Sequence, residues 1–224
     1  MSKDNCFIKK FISKKNHVSL HKYTDEGGKQ YVVKRFHNAD SYQAELEMYR
    51  CLIHCQQNEA GSQLNYPNLL DYDDSKLSLC LEYIKGNNVL ELLEYYESRS
   101  FVKEAAKVLI QVLQWLEQFY STIGIDGDEV LGDVNLRNFI YAENKIFGID
   151  FEDARSGCRH IEMLEVLARY LLYNPAKSEF KHTVLSIVEK QYLAVSMKNQ
   201  GIEKYADLLE NEITHIQMRR KRFT

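Results

Sequence analysis

Polar and apolar positions change their period along the chain. From Cys6 to Phe36 they alternate in three short runs, "CFIKKFIS", "HVSLHKYT" and "KQYVVKRF", each rich in β-branched and aromatic residues, which is the pattern of strands. "DEGG" lies between the last two and reads as a hairpin turn, so the chain is predicted to open with three antiparallel strands. "DSYQAELEMYRCLIHC" then carries apolar residues near helical spacing, with Asp40 or Ser41 as its expected N-cap. After "NYPNLLDYDD", which contains a proline, "KLSLCLEYI" returns to the strand pattern.

The character changes at "KGNN", Lys85 to Asn88, which reads as a short linker. Beyond it "VLELLEYYES" and "FVKEAAKVLIQVLQWLEQFYSTIG" are helical, and Val102, Leu109, Val112, Leu113, Leu116 and Phe119 form an apolar stripe of the kind that faces a core. Two strand-like runs, "NFIYA" and "KIFGIDF", interrupt the helices before three further helical stretches finish the chain. The expected fold class is α+β. Residues 1–84 would form a small antiparallel β-sheet lobe with one helix, and residues 85–224 a mainly helical lobe, with a cleft between them.

Composition narrows the function classes. The 224 residues are 45% hydrophobic with only 2 prolines and 10 glycines, which is a globular balance with enough apolar surface for a substantial core. A formal net charge of -3 gives no reason to expect a nucleic-acid or membrane-surface partner, and "RRKRF" near the end reads as a solvated helix terminus. The opening "MSKDNCFIKKFISKK" lacks an apolar stretch of signal-peptide length, and no run has the length of a membrane span, so a cytoplasmic protein is expected. Five scattered cysteines, Cys6, Cys51, Cys55, Cys80 and Cys158, are then free thiols. Cys51, His54 and Cys55 share a helix face, but with no second ligand pair at zinc-like spacing they read as packing residues.

Two groups of residues carry candidate chemistry. Lys34 stands in "YVVKRF" among residues that want burial, and a buried ammonium needs an anionic partner. Glu45 in the following helix supplies one, with Glu47 the weaker alternative, and the pair suits a phosphate-bearing ligand. The second group is "VLGDVNLRNFIY", a polar segment between apolar ones. Asp133 lies in a loop, Asn138 begins a strand, and Asp150 ends the strand that should pair with it. A hairpin would bring Asn138 and Asp150 together as oxygen ligands for a hard cation such as Mg2+, which prefers few protein oxygens plus substrate phosphates.

In this order, Lys34 in a third strand, Glu45 in the next helix, "LCLEYIKG" as a hinge, "GDVNLRN" and "IDFED" resemble the protein-kinase-like fold. The spellings are more similar to aminoglycoside and choline phosphotransferases, and to small RIO-type or lipopolysaccharide-kinase-like bacterial proteins, than to eukaryotic protein kinases. The resemblance covers about residues 7 to 175. It implies an ATP- and Mg2+-dependent phosphotransferase acting on a hydroxyl, with a small molecule favoured over a protein as acceptor. Lys34 would hold the α- and β-phosphates and Glu45 would orient it. The backbone of Glu82, Tyr83 and Ile84 would meet the adenine, Asp133 would take or orient the acceptor proton, and Asn138 and Asp150 would bind metal.

The departures define the alternatives. The turn "SKKNHV" has no glycine where the family places its glycine-rich loop, so Lys14, Lys15, Asn16 and His17 either make side-chain contacts instead or form a plain solvated turn. Leu131 replaces the usual histidine, Glu152 stands at the glycine of the D-F-G motif, and no activation segment follows. A compact atypical Ser/Thr protein kinase and a pseudokinase binding module are the competing readings.

Overall fold

A computed structural model describes residues 5–11, 16–23, 28–58, 64–123, 129–194 and 205–221. The alternation of the first third becomes β1 (Asn5–Phe11), β2 (His17–Tyr23) and β3 (Gln30–Arg35), paired antiparallel in chain order. Most of the "DEGG" turn, and Lys14 and Lys15 of the β1–β2 turn, lie outside the described residues. β4 (Leu69–Asp73) and β5 (Ser78–Glu82) complete a five-stranded antiparallel sheet of order β1-β2-β3-β5-β4. β4 was not expected from its sequence. It is an edge strand with Leu70 and Tyr72 exposed, so burial on one face never imposed alternation on "LLDYD".

α1 (Ala39–Asn58) meets this sheet through Glu45 against Lys34 of β3 and Tyr42 against Phe36 just beyond it. Its N-cap is Asn38, whose Oδ1 accepts from the Ser41 backbone N–H at 2.8 Å, rather than Asp40 or Ser41. Asn38 stands just before the first helical residue, where a side-chain oxygen reaches the third amide of the helix. Tyr42, Glu45, Leu46, Tyr49 and Leu52 are the buried face of α1. The period of two along β3 points Val32 and Lys34 at that face, because successive side chains leave a strand on opposite sides. Each buried leucine there contributes about 1.5–3 kcal/mol. Lys34 and Glu45 are the charged exceptions on an apolar seam.

The remaining chain is mainly helical: α2 (Val89–Ser98), α3 (Val102–Ile123), α4 (Arg159–Leu172), α5 (Glu179–Val188) continuing into a π-turn at Glu189–Leu193, and α6 (Tyr205–Lys221). The apolar stripe of α3 is its core face: Leu109, Val112, Leu113, Leu116 and Phe119 are fully buried and Val102 is half-buried. The supposed linker is structural. Asn87–Asn88 form β6 and pair with β8 (Phe139–Ala142), which pairs in turn with β9 (Lys145–Gly148). Asn88 also caps α2, accepting from Leu90 N at 3.0 Å, and donates to the Arg137 carbonyl at 2.7 Å. A short ladder joins β7 (Glu129–Val130) to β10 (Arg155–Ser156).

One apolar cluster runs from Phe36 and Tyr49 through α3 to Ile216, so the core continues across the expected 84/85 boundary. The basic end of α6 is exposed, as expected, but it also makes contacts. Arg219 Nη2 donates to Glu165 Oε1 and Arg220 Nη1 to the Leu172 carbonyl, both at 3.0 Å, because the last turn of α6 packs along α4 and meets its carboxylate and its unpaired C-terminal carbonyl. Among the described residues no helix is long and apolar enough to cross a membrane, and all five cysteines are free.

Candidate functional site

Lys34 is the centre of the site. Its Nζ donates to Glu45 Oε2 from α1 and to Asp150 Oδ1 from the segment after β9, contacts that span 11 and 116 residues. Burial opposes the ammonium charge, but the two carboxylates more than compensate and raise the Lys34 pKa above its ordinary value. Glu47 faces solvent and accepts from Gln43 at 2.8 Å, so Glu45 alone partners the lysine. Glu45 is fully buried, and its Oε1 has no hydrogen-bond partner. Burial, reinforced by the charges of Asp150 and Glu152, pushes its carboxyl up to about 7 despite the attraction of Lys34.

The "IDFED" segment is pinned by its aromatic residue. Phe151 is fully buried, edge-on to Tyr49 of α1 at 5.3 Å and stacked on Phe119 of α3 at 6.1 Å. That anchor holds Asp150 in the left-handed region at φ 69°, a conformation costing a non-glycine residue roughly 1 kcal/mol. Upstream, a Cβ at Gly148 would fall 2.2 Å from the Trp115 ring, so only glycine lets β9 approach α3 this closely. Glu152 is buried as well and accepts from Asn16 Nδ2 at 3.0 Å, which ties the end of the glycine-free turn to this segment. Glu45, Asp150 and Glu152 each offer a carboxylate oxygen, all within 4.8 Å of one another.

The second polar segment is held from below. Glu162, on the buried face of α4, accepts from Leu131 N at 2.8 Å, Gly132 N at 2.6 Å and the Tyr120 hydroxyl at 2.8 Å. Its carboxyl is raised by burial, against those three hydrogen bonds. Gly132 has φ 86°, and an added Cβ would lie 1.9 Å from the Asp153 carbonyl oxygen. Asp133 follows, with its side chain 30% exposed. Asn138 Nδ2 donates to the Asp133 carbonyl at 3.0 Å and to its Oδ2 at 3.3 Å, while Arg169 Nη2 of α4 stands 3.4 Å from its Oδ1. Asn138 ends a 3-10 turn (Leu136–Asn138) rather than beginning the strand, and its carbonyl accepts from Ile149 N at 2.9 Å.

The structure therefore joins Lys34, Glu45 and Asp150 in one cluster and Asp133 with Asn138 in a second. Glu82 closes β5, its Oε2 accepting from Asn68 Nδ2 at 2.6 Å, and the chain then runs irregularly through half-buried Tyr83 and Ile84 to β6. Sequence reasoning gave no role to Glu162 or Arg169 and treated Glu152 only as a departure. A signal for Glu162 exists: in "HIEMLEVLARYLL" it falls four residues before Val166 and eight before Tyr170, on the apolar stripe.

No family model matches the chain, and no curated protein matches it.

Proposed function

We propose that the chain is a phosphotransferase of the two-lobed protein-kinase-like type, using ATP and Mg2+ to phosphorylate a hydroxyl of a small molecule. The observation that carries this reading is Lys34 bridging Glu45 and Asp150, residues from three separate elements that meet on otherwise apolar packing. A structural ion pair needs one carboxylate. Here Lys34 meets two carboxylates, Glu45 and Asp150, with a Glu152 oxygen within 4.8 Å of theirs, and Glu45 Oε1 remains unpartnered. That donor set of hard oxygens fits a divalent cation, which Asp150 and Glu152 would hold, with Asn138 adding its amide oxygen.

The cation, when bound, neutralises phosphate charge. Lys34, oriented by Glu45, would hold the phosphates, with the backbone of Glu82 to Ile84 against the adenine. Asp133 would orient the attacking hydroxyl and accept its proton, kept in place by Asn138 and by the Glu162-anchored backbone.

A thermal-shift titration with ATP, with and without Mg2+, tests the reading on wild type, Asp150→Ala and Asp133→Asn. Wild type should show a Mg2+-dependent shift that Asp150→Ala loses. Asp133→Asn should keep the shift and lose acceptor-dependent ADP release by about 100-fold or more. Absence of any nucleotide shift in folded wild type would refute the proposal.

A further inference from the structure

Arginines gather around the Asp133 loop in a chain whose net charge is -3. Arg169 Nη2 lies 3.4 Å from Asp133 Oδ1, and no described hydrogen bond uses its Nη1. Arg155 approaches from the β10 side. An ideal Cβ on Gly132 would sit 2.5 Å from Arg155 Nη1, so this guanidinium rests against the residue that precedes Asp133. Arg137 is four positions beyond Asp133 in the same loop and is exposed. Tyr173 joins the group from the end of α4: its hydroxyl donates to Asn135 Oδ1 at 2.8 Å, and the charges of Arg169 and Arg137 both act on it, against the burial that raises its pKa.

Of the nearby acids, Glu162 is engaged by the Leu131 and Gly132 amides and the Tyr120 hydroxyl. Glu165 already serves two guanidiniums, those of Arg169 and Arg219. Arg155 has only a long 3.4 Å hydrogen bond to the Asp153 carbonyl, and neither it nor Arg137 forms an ion pair among the described residues. Arg169 thus pairs with the partly exposed Asp133, Arg155 rests against Gly132, and Arg137 lies near enough to Tyr173 for its charge to act there, as that of Asp133 does. A guanidinium matches phosphate and carboxylate oxygens in geometry as well as charge, whereas a cationic acceptor would meet like charge here.

We infer that the acceptor is a small hydroxy compound carrying an anionic group, phosphate or carboxylate, which Arg155 and Arg137 bind while its hydroxyl faces Asp133. The inference rests on the phosphotransferase reading and deepens it. Arg169 spans Glu165 and Asp133.

The test is isothermal titration of the full chain, first with Mg2+ and ADP, then of that complex with glycerol 3-phosphate, glycerate, glycerol and choline. The two anions should bind at least about 10-fold more tightly than glycerol, with choline weakest, and whichever anion binds better separates phosphate from carboxylate as the recognised group. Arg155→Gln and Arg137→Gln, both at exposed positions, should each weaken anion binding by about 10-fold or more, and Arg155→Lys should recover part of the loss. Equal binding of glycerol and the anions, binding of none of the four, preference for choline, or anion binding indifferent to both substitutions would overturn the inference while leaving the nucleotide reading intact. Failure to bind Mg2+ and ADP in the first titration would remove the phosphotransferase reading and this inference together.

Discussion

Glu45→Gln isolates the charge buried at the centre of the site. Glu45 is fully buried, shares Lys34 with Asp150, and lies within 4.8 Å of carboxylate oxygens from Asp150 and Glu152. Burial is the largest influence on its carboxyl and raises it from 4.5 to about 7, with the neighbouring carboxylates adding to the rise and Lys34 opposing it. Between those values the folded protein holds a proton that the unfolded chain has released. Stability from this group is complete below the unfolded pKa and is lost as pH rises through the folded one. At 1.36 kcal/mol per unit, integration between pH 5 and pH 8 gives a loss of about 2–3 kcal/mol. Glutamine keeps the shape and cannot titrate. The unfolding free energy of wild type minus that of the variant should therefore fall by about this amount over the same range. Urea melts across a pH series in EDTA measure it, and groups that titrate identically in both proteins cancel. A difference that stays flat, or rises with pH, would show that Glu45 is ionised throughout and that attraction to Lys34 outweighs burial.

Two further substitutions test the backbone that presents Asp133. Gly132→Ala combines φ 86° with a Cβ placed 1.9 Å from the Asp153 carbonyl oxygen, and should lower the unfolding free energy by more than about 2 kcal/mol in urea melts. An unchanged midpoint would mean that the loop has another conformation open to it. Glu162→Gln turns an amide donor toward groups that themselves donate, the Leu131 and Gly132 amides and the Tyr120 hydroxyl. It should cost about 1–3 kcal/mol and speed hydrogen exchange at Leu131 and Gly132 ahead of the rest of the core. Exchange that stays as slow as in wild type would show that Glu162 does not hold the loop.

Much of the architecture was legible because it is decided locally. The period of two in β2 and β3, the apolar stripe of α3 and the strand-like runs that became β8 and β9 need only their own residues and one buried face. The pairing of Lys34 with Glu45 was readable for the same reason: each charge interrupts an apolar face, and a buried charge requires an opposite one. Elements without such a face were missed or misread. β4 lies on an edge, and β6 is only two residues long, so neither imposes a pattern on its sequence.

The site itself was decided by tertiary structure. Nothing local indicates that Asn16 reaches Glu152 across 136 positions, that Arg219 meets Glu165 across 54, or that Arg169 lies beside Asp133. These contacts follow from how whole elements pack: α6 along α4, Phe151 between Tyr49 and Phe119, and Trp115 over Gly148. The sequence by itself determined which side chains were charged and which of them fell on buried faces. Packing determined which charges met, because an ion pair depends on distance in space, and the chain brings these residues together only after its apolar faces have closed on one another.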